Sequence, residues 1–223
     1  MKGKAVLSAQ VTPLGRRQVL QRLALHAMSG AGASGVMVSN ALAAGQIEEP
    51  LSQAVRTALT AAVAAADPPE PVLGSAPERQ AYEQWRAQCN ALLTRWLPQP
   101  VDRQEFLQTL WYEARRAGLS LSLVLGLIQT ESAFRKYAIS SAGARGYMQV
   151  MPFWTRTIGD GDERKLFHLQ TNLRFGCVIL RYCLDREQGD VPLGLGRYNG
   201  SRGQAAYPNA VLQSQRRWQL QVD

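Results

Sequence analysis

The chain has 223 residues, with 25 lysines and arginines against 17 acids, two histidines and three cysteines, for a formal net charge of +8. That length holds one sizeable domain with extensions, and 46% hydrophobic with 19% charged residues excludes a disordered or low-complexity chain. No run reaches the apolar length of a stable membrane span, and no helix-turn-helix cue, zinc-finger spacing or aromatic RNA-binding motif supports nucleic acid as a partner.

Charge is unevenly placed. Residues 1–44 carry Lys2, Lys4, Arg16, Arg17 and Arg22 and no acid, a net +5. The segment Leu14-Gly-Arg16-Arg17-Gln-Val19-Leu20 resembles a twin-arginine export signal, and the mildly apolar stretch from Leu23 to Leu42 suits the weak hydrophobic region of that class. Ala41-Leu42-Ala43 offers a small-residue cleavage site, and no cysteine follows to accept a lipid. The resemblance implies a signal peptide over 1–44, a mature chain starting near Ala44 and a periplasmic location. An amphipathic helix that stays attached is the competing reading.

Residues 45–78 hold Arg56 against five acids, a net −4. Leu51 to Ala66 is alanine-rich and free of breakers, so it predicts a helix with little to bury. Asp67-Pro68-Pro69-Glu70-Pro71 to Pro77 predicts an extended linker. From residue 79 onward 19 basic and 12 acidic side chains remain, a net +7 that suits an anionic polymer. Glu78 to Leu97 predicts a helix with Tyr82, Trp85 and Cys89 on one face. Asp102 is placed to cap a helix over Arg103–Arg116, with Glu105 at the capping-box position.

Leu121 to Ile128 is strongly apolar, and here two readings compete. Leu119, Leu121, Leu123 and Leu125 alternate as in a strand, whereas Leu121, Val124 and Ile128 share a helical face that Glu131 continues. Length favours the helix. A carboxylate on such a stripe loses hydration and sits near the negative end of the helix dipole, and both effects favour its protonated form. An acid held protonated near neutral pH is what a general acid requires.

Further on, Ser140–Arg145 predicts a loop and Tyr147–Ile158 a helix interrupted near Pro152. Gly159–Glu163 predicts a loop whose acids lack calcium-loop spacing. Asn172–Leu184 predicts a helix with Gly176 permitting close packing. The elements are nearly all α. Cys177 and Cys183 would lie about 9 Å apart along one helix, too far for a disulfide. A bridge from Cys89 to one of them is sterically possible, and buried thiols are the other reading. Zinc spacing is absent, so no metal is expected.

Four short sequences carry a resemblance: Glu131-Ser132, Gly146-Tyr147-Met148-Gln149, Asn172 with Gly176, and Tyr198-Asn199-Gly200. In that order they resemble the Glu-Ser pair, Gly-Leu-Met-Gln box, Asn-to-Gly helix signature and Ala-Tyr-Asn box of the soluble lytic transglycosylases, relatives of goose-type lysozyme. The resemblance covers roughly residues 100–215. It departs from the pattern at Tyr147 for leucine, Ile179 for tyrosine and Arg197 for alanine.

The resemblance implies a mainly α, lysozyme-like catalytic domain over 79–223 that acts on peptidoglycan glycan strands without a cofactor. It implies Glu131 as the catalytic acid and base, Ser132 orienting the carboxyl or touching sugar, and Met148 and Gln149 lining the cleft. Tyr198 would hydrogen-bond Glu131, and Asn199 would contact substrate or hold its loop. Tyr207 stays open between cleft and packing. After Glu131 the next acid is Asp160, in a loop, so the two-carboxylate arrangement of most glycosidases is missing. That absence fits cleavage between N-acetylmuramic acid and N-acetylglucosamine with a 1,6-anhydro product. A hydrolytic muramidase and a non-catalytic peptidoglycan-binding protein are the alternatives.

Overall fold

The computed structural model describes residues 45–64 and 73–220, so the expected signal peptide over 1–44 and most of the proline-rich linker lie outside the described residues. Eight α-helices are described: α1 (Gln53–Ala64), α2 (Ala76–Leu93), α3 (Pro100–Arg116), α4 (Leu121–Ser132), α5 (Phe153–Ile158), α6 (Leu169–Arg186), α7 (Val191–Asn199) and α8 (Ala206–Gln215). Short 3-10 turns lie at Glu163–Phe167 and Arg216–Trp218. The expected mainly α domain is what the chain forms.

Helix α1 buries none of its residues, as its alanine content foretells, and is held partly by Arg116 donating to the Ala62 carbonyl at 2.6 Å. In α2 the Ser75 hydroxyl accepts the Glu78 N–H, and Tyr82, Trp85, Cys89 and Leu93 form one buried face. Helix α3 begins earlier than its side-chain pattern predicts. Pro100, with its fixed φ and no N–H to leave unpaired, starts the helix, so Asp102 stands in the first turn and is not the cap. A buried Glu113–Arg174 ion pair at 2.8 Å then joins α3 to α6.

Helix α4 is the axis of the domain. Ser120 caps it by accepting the Leu123 N–H, and every residue from Leu121 to Ile128 is buried. Burial on all sides explains why the segment satisfies a strand pattern and a helix pattern at once. Its tightest neighbour is α8. A Cβ on Gly126 would stand 2.7 Å from the Gln215 backbone nitrogen, so only glycine lets the two helices approach this closely. Trp218 Nε1 donates to Gln129 Oε1 at 3.0 Å, fastening the chain end beside the same contact.

The expected helix over Tyr147–Ile158 is only half correct. Residues 147–150 form a turn within two isolated antiparallel bridges, Ile139 with Arg145 and Arg145 with Val150. Gln149 sits at φ 48°, which no helix accommodates, and Pro152 disfavours helical backbone at Met151, so the helix begins only at Phe153. Tyr198-Asn199-Gly200 is the end of α7, with Gly200 at φ 81° as its left-handed cap. Cys89, Cys177 and Cys183 are buried thiols, and burial pushes Cys183 up to about 12.

Candidate active site

Glu131 occupies the last turn of α4, where the fully buried stretch gives way to the half-buried residues Gln129, Thr130 and Glu131. The residue as a whole is half-buried, and enough protein surrounds its carboxyl that burial raises its pKa from 4.5 to about 7. No charged neighbour contributes to that rise. Just beyond it the backbone turns sharply, with Ala133 and Phe134 both left-handed at φ 49° and 59°. Two consecutive non-glycine residues in this region cost on the order of 1–2 kcal/mol each, a strain that the surrounding aromatic packing of Phe134 must hold.

Among the described residues, a side chain other than the expected one hydrogen-bonds the carboxyl. Tyr207, from the first turn of α8, donates its hydroxyl to Glu131 Oε1 at 2.5 Å. This bond favours the carboxylate and partly offsets the rise caused by burial. Tyr198 donates instead to the Met148 carbonyl at 2.7 Å and is 1% exposed. The assignment of Tyr198 as the carboxyl's partner is therefore corrected to Tyr207. Both phenols are held well above their ordinary pKa, by burial first and by the Glu131 charge second, so they stay protonated as donors.

The other expected site residues, Ser132, Met148, Gln149 and Asn199, are buried. Ser132 is 1% exposed and donates to the Tyr147 carbonyl at 2.7 Å, with the Ile128 carbonyl 3.2 Å away, so its hydroxyl ties the end of α4 to the turn and does not orient the carboxyl. Met148 is fully buried, which corrects its assignment to the cleft lining. Its side chain packs over Gly176, where a Cβ would come within 2.7 Å of Met148 Cβ. The Gln149 amide donates to the carbonyls of Gly146 and Ala138 at 2.9 and 3.2 Å. Asn199 Oδ1 accepts from Ser201 Oγ at 2.8 Å, so of its two expected roles the structure shows the loop-holding one.

Asn172 carries more than its place in a helix signature suggests. Its Oδ1 accepts the Met148 N–H at 2.8 Å, and its Nδ2 donates to the carbonyls of Arg145 and Leu166 at 2.9 and 2.8 Å. One buried amide thus fixes the whole 145–149 turn against α6. Of the departures from the family pattern, Tyr147 is core, packed against Phe106, and Ile179 is fully buried. Arg197 donates from Nη1 to both Glu49 oxygens at 2.6 and 2.8 Å and from Nε to Glu187 at 2.6 Å.

Sequence reasoning does not find Tyr207 as the carboxyl's partner, because it lies 76 residues away and only the α4–α8 packing brings the two together. Its one signal in the sequence is a tyrosine opening the final helix. Among the described residues no group of histidine, cysteine and acidic side chains is arranged to hold a metal, and Asp160 and Asp162 are paired with Lys165 and Arg164.

Known proteins share this part of the chain. The "Membrane-bound lytic murein transglycosylase C" of Histophilus somni (strain 2336) is 50% identical over 94 residues, 39% of this chain and 26% of the relative. The protein of the same name from Mannheimia succiniciproducens is 48% identical over 52 residues, 23% of this chain and 15% of the relative. The "Transglycosylase" of Enterobacteria phage PRD1 is 31% identical over 117 residues, 49% of this chain and 43% of the relative. The chain thus spans less than half the length of each of these relatives. The family model for the transglycosylase SLT domain matches residues 109–220, the region that contains Glu131, Tyr207 and the turn that Asn172 fixes, and the chain belongs to that family.

Proposed function

We propose that the chain is a peptidoglycan lytic transglycosylase in which Glu131 serves first as acid and then as base. The observation that carries this is a carboxyl poised near pH 7 by burial, with Tyr207 on one oxygen and no second carboxylate acting on it. Because the Tyr207 hydroxyl occupies Oε1, the transferable proton is assigned to Oε2. Glu131 passes this proton to the glycosidic oxygen between N-acetylmuramic acid and N-acetylglucosamine. As the bond breaks, the substrate's own acetamido oxygen supports the cationic C1 centre. The Glu131 carboxylate then takes the C6 hydroxyl proton, and that oxygen bonds to C1. The product carries a 1,6-anhydro ring, no water is consumed, and Glu131 regains its proton.

In this reading Ser132, Met148, Gln149, Tyr198 and Asn199 are buried and hold the backbone around Glu131, and Glu131 is the residue that touches the reacting atoms. The net +7 over residues 79–223 suits the anionic peptides of the wall. Relatives named for lytic cleavage of murein support an envelope location, with export through the twin-arginine-like segment as the proposed route. Mass spectrometry of products from purified peptidoglycan tests the reaction. Anhydro-muropeptide ends are expected, whereas reducing ends carrying an added water would establish a hydrolytic muramidase in its place.

A further inference from the structure

Cations gather around one indole near the end of α4. Trp96, just after α2, is half-buried, its ring 5.1 Å from that of Phe134 and 5.7 Å from that of Trp218. The guanidinium carbon of Arg95 stands 3.6 Å from the centre of this ring, and that of Arg217 stands 5.9 Å from it. A carbon at 3.6 Å leaves no room for a nitrogen pointing down at the ring, so the Arg95 guanidinium lies flat on the indole. Its N–H edge stays free of the ring, in the fork that pairs two bonds with a carboxylate. Arg135 and Lys136 follow Phe134 directly and are exposed, as are Arg95 and Arg217.

Among the described residues none of these four cations is ion-paired, whereas many arginines elsewhere in the domain are matched, as in Arg174 with Glu113, Arg181 with Asp185 and Arg202 with Glu187. The unmatched charge is tied to the chain on both sides of Glu131. Arg217 Nη1 reaches Gln129 Oε1 at 3.5 Å, two residues before it, and Arg135 Nε donates to the Ser132 carbonyl at 3.0 Å, one residue after it. Charge of a single sign held together in this way repels itself and attracts an anion. A membrane anchor would present its tryptophans to lipid, yet Trp96 is half-buried under Arg95 and Trp218 is 0% exposed. A ligand that carries carboxylates fits this arrangement better than a lipid surface.

Peptidoglycan carries such carboxylates on a peptide joined to the lactyl group of N-acetylmuramic acid, the sugar whose bond Glu131 protonates. A peptide of about four residues spans on the order of 13 Å, which brings its carboxylates within reach of guanidiniums tied beside Glu131. We propose that Arg95, Arg135, Lys136 and Arg217, gathered about Trp96, bind the carboxylates of that peptide and set a preference for peptide-bearing over peptide-free glycan strands. The proposal rests on the transglycosylase reading for the identity of the polymer. Peptide preference is read in KM, whereas the chemistry of cleavage is read in the product ends, so the two readings fail separately.

The test uses the full chain on two preparations of uncrosslinked glycan strands, one carrying its peptides and one stripped of them by an amidase. The native protein should show a KM several-fold lower on the peptide-bearing strands. The double variant Arg95→Gln with Arg217→Gln should raise that KM about 3- to 10-fold, leave kcat and the KM for stripped strands near their native values, and so remove the preference. Should the double variant fail to fold by circular dichroism, Arg135→Gln with Lys136→Gln is read by the same criterion. Equal KM on both substrates for the native protein, or a preference retained in a folded variant, overturns the site. Where neither substrate is cleaved, co-sedimentation with each glycan replaces KM, and equal binding by native and variant protein overturns the site likewise. Phosphatidylglycerol vesicles that bind the native protein and not the double variant, with no peptide preference, overturn it in favour of a membrane surface. Water-added ends with the peptide preference intact overturn the transglycosylase reading and leave the site standing.

Discussion

Replacing Glu131 with glutamine separates the cost of burying an acid at the end of α4 from its use in catalysis. In the unfolded chain the carboxyl titrates near 4.5, and in the folded protein near 7. Between those values the folded state holds a proton that the unfolded state has released, so wild-type stability falls as pH rises from about 4.5 to about 7 and then levels off. Those 2.5 pH units, at about 1.4 kcal/mol each, set an upper bound of roughly 3.5 kcal/mol, reduced by the partial exposure of the residue. Glutamine carries no such cost and still offers Tyr207 an acceptor. Glu131→Gln should therefore match the wild type at pH 4 and exceed it at pH 8, by on the order of 5–10 °C in Tm for a domain of this size. Turnover on peptidoglycan should fall on the order of 100-fold or more. Thermal unfolding of both proteins across pH 4–8 is the assay. A stability difference that does not change with pH, or a wild type that is the more stable at pH 8, would refute the argument that this carboxyl is desolvated.

Tyr207→Phe removes the bond that favours the carboxylate, so the alkaline limb of kcat/KM should move to higher pH by about one unit, with rate loss from a loosened carboxyl; a shift to lower pH would contradict the assigned donor. Asn172→Ala strips partners from three buried backbone groups and should destabilise the domain by about 3–5 kcal/mol in denaturant titration, with activity lost alongside as the 145–149 turn loosens. Gly176→Ala drives a methyl into Met148 and should cost about 1–3 kcal/mol by the same measurement.

Much of the architecture is legible in the local pattern of side chains. The apolar faces of α2 and α4 and the low burial of α1 follow from periodicity, which is information carried within a dozen residues. The early start of α3 at Pro100 and the short α5 after Pro152 depart from that pattern by a few residues, because a proline sets helix boundaries that periodicity does not report. Residues 147–150 carry a helix-like pattern and yet form a turn, because the left-handed Gln149 is stabilised by Asn172 and its own amide bonds, which come from distant or non-helical contacts.

The sequence alone determined where a desolvated carboxyl stands. Glu131 continues a fully apolar helical stripe with no further acid before Asp160, and that is a local fact about solvation. Only the tertiary structure decided what holds it. Tyr207 reaches Glu131 because Gly126 lets α8 settle against α4, and Tyr198, nearer by motif, is spent on the Met148 carbonyl. A side chain's cost of burial is fixed largely by its own neighbourhood along the chain. Its hydrogen-bond partner is fixed by which helices pack, and that depends on contacts summed over the whole domain.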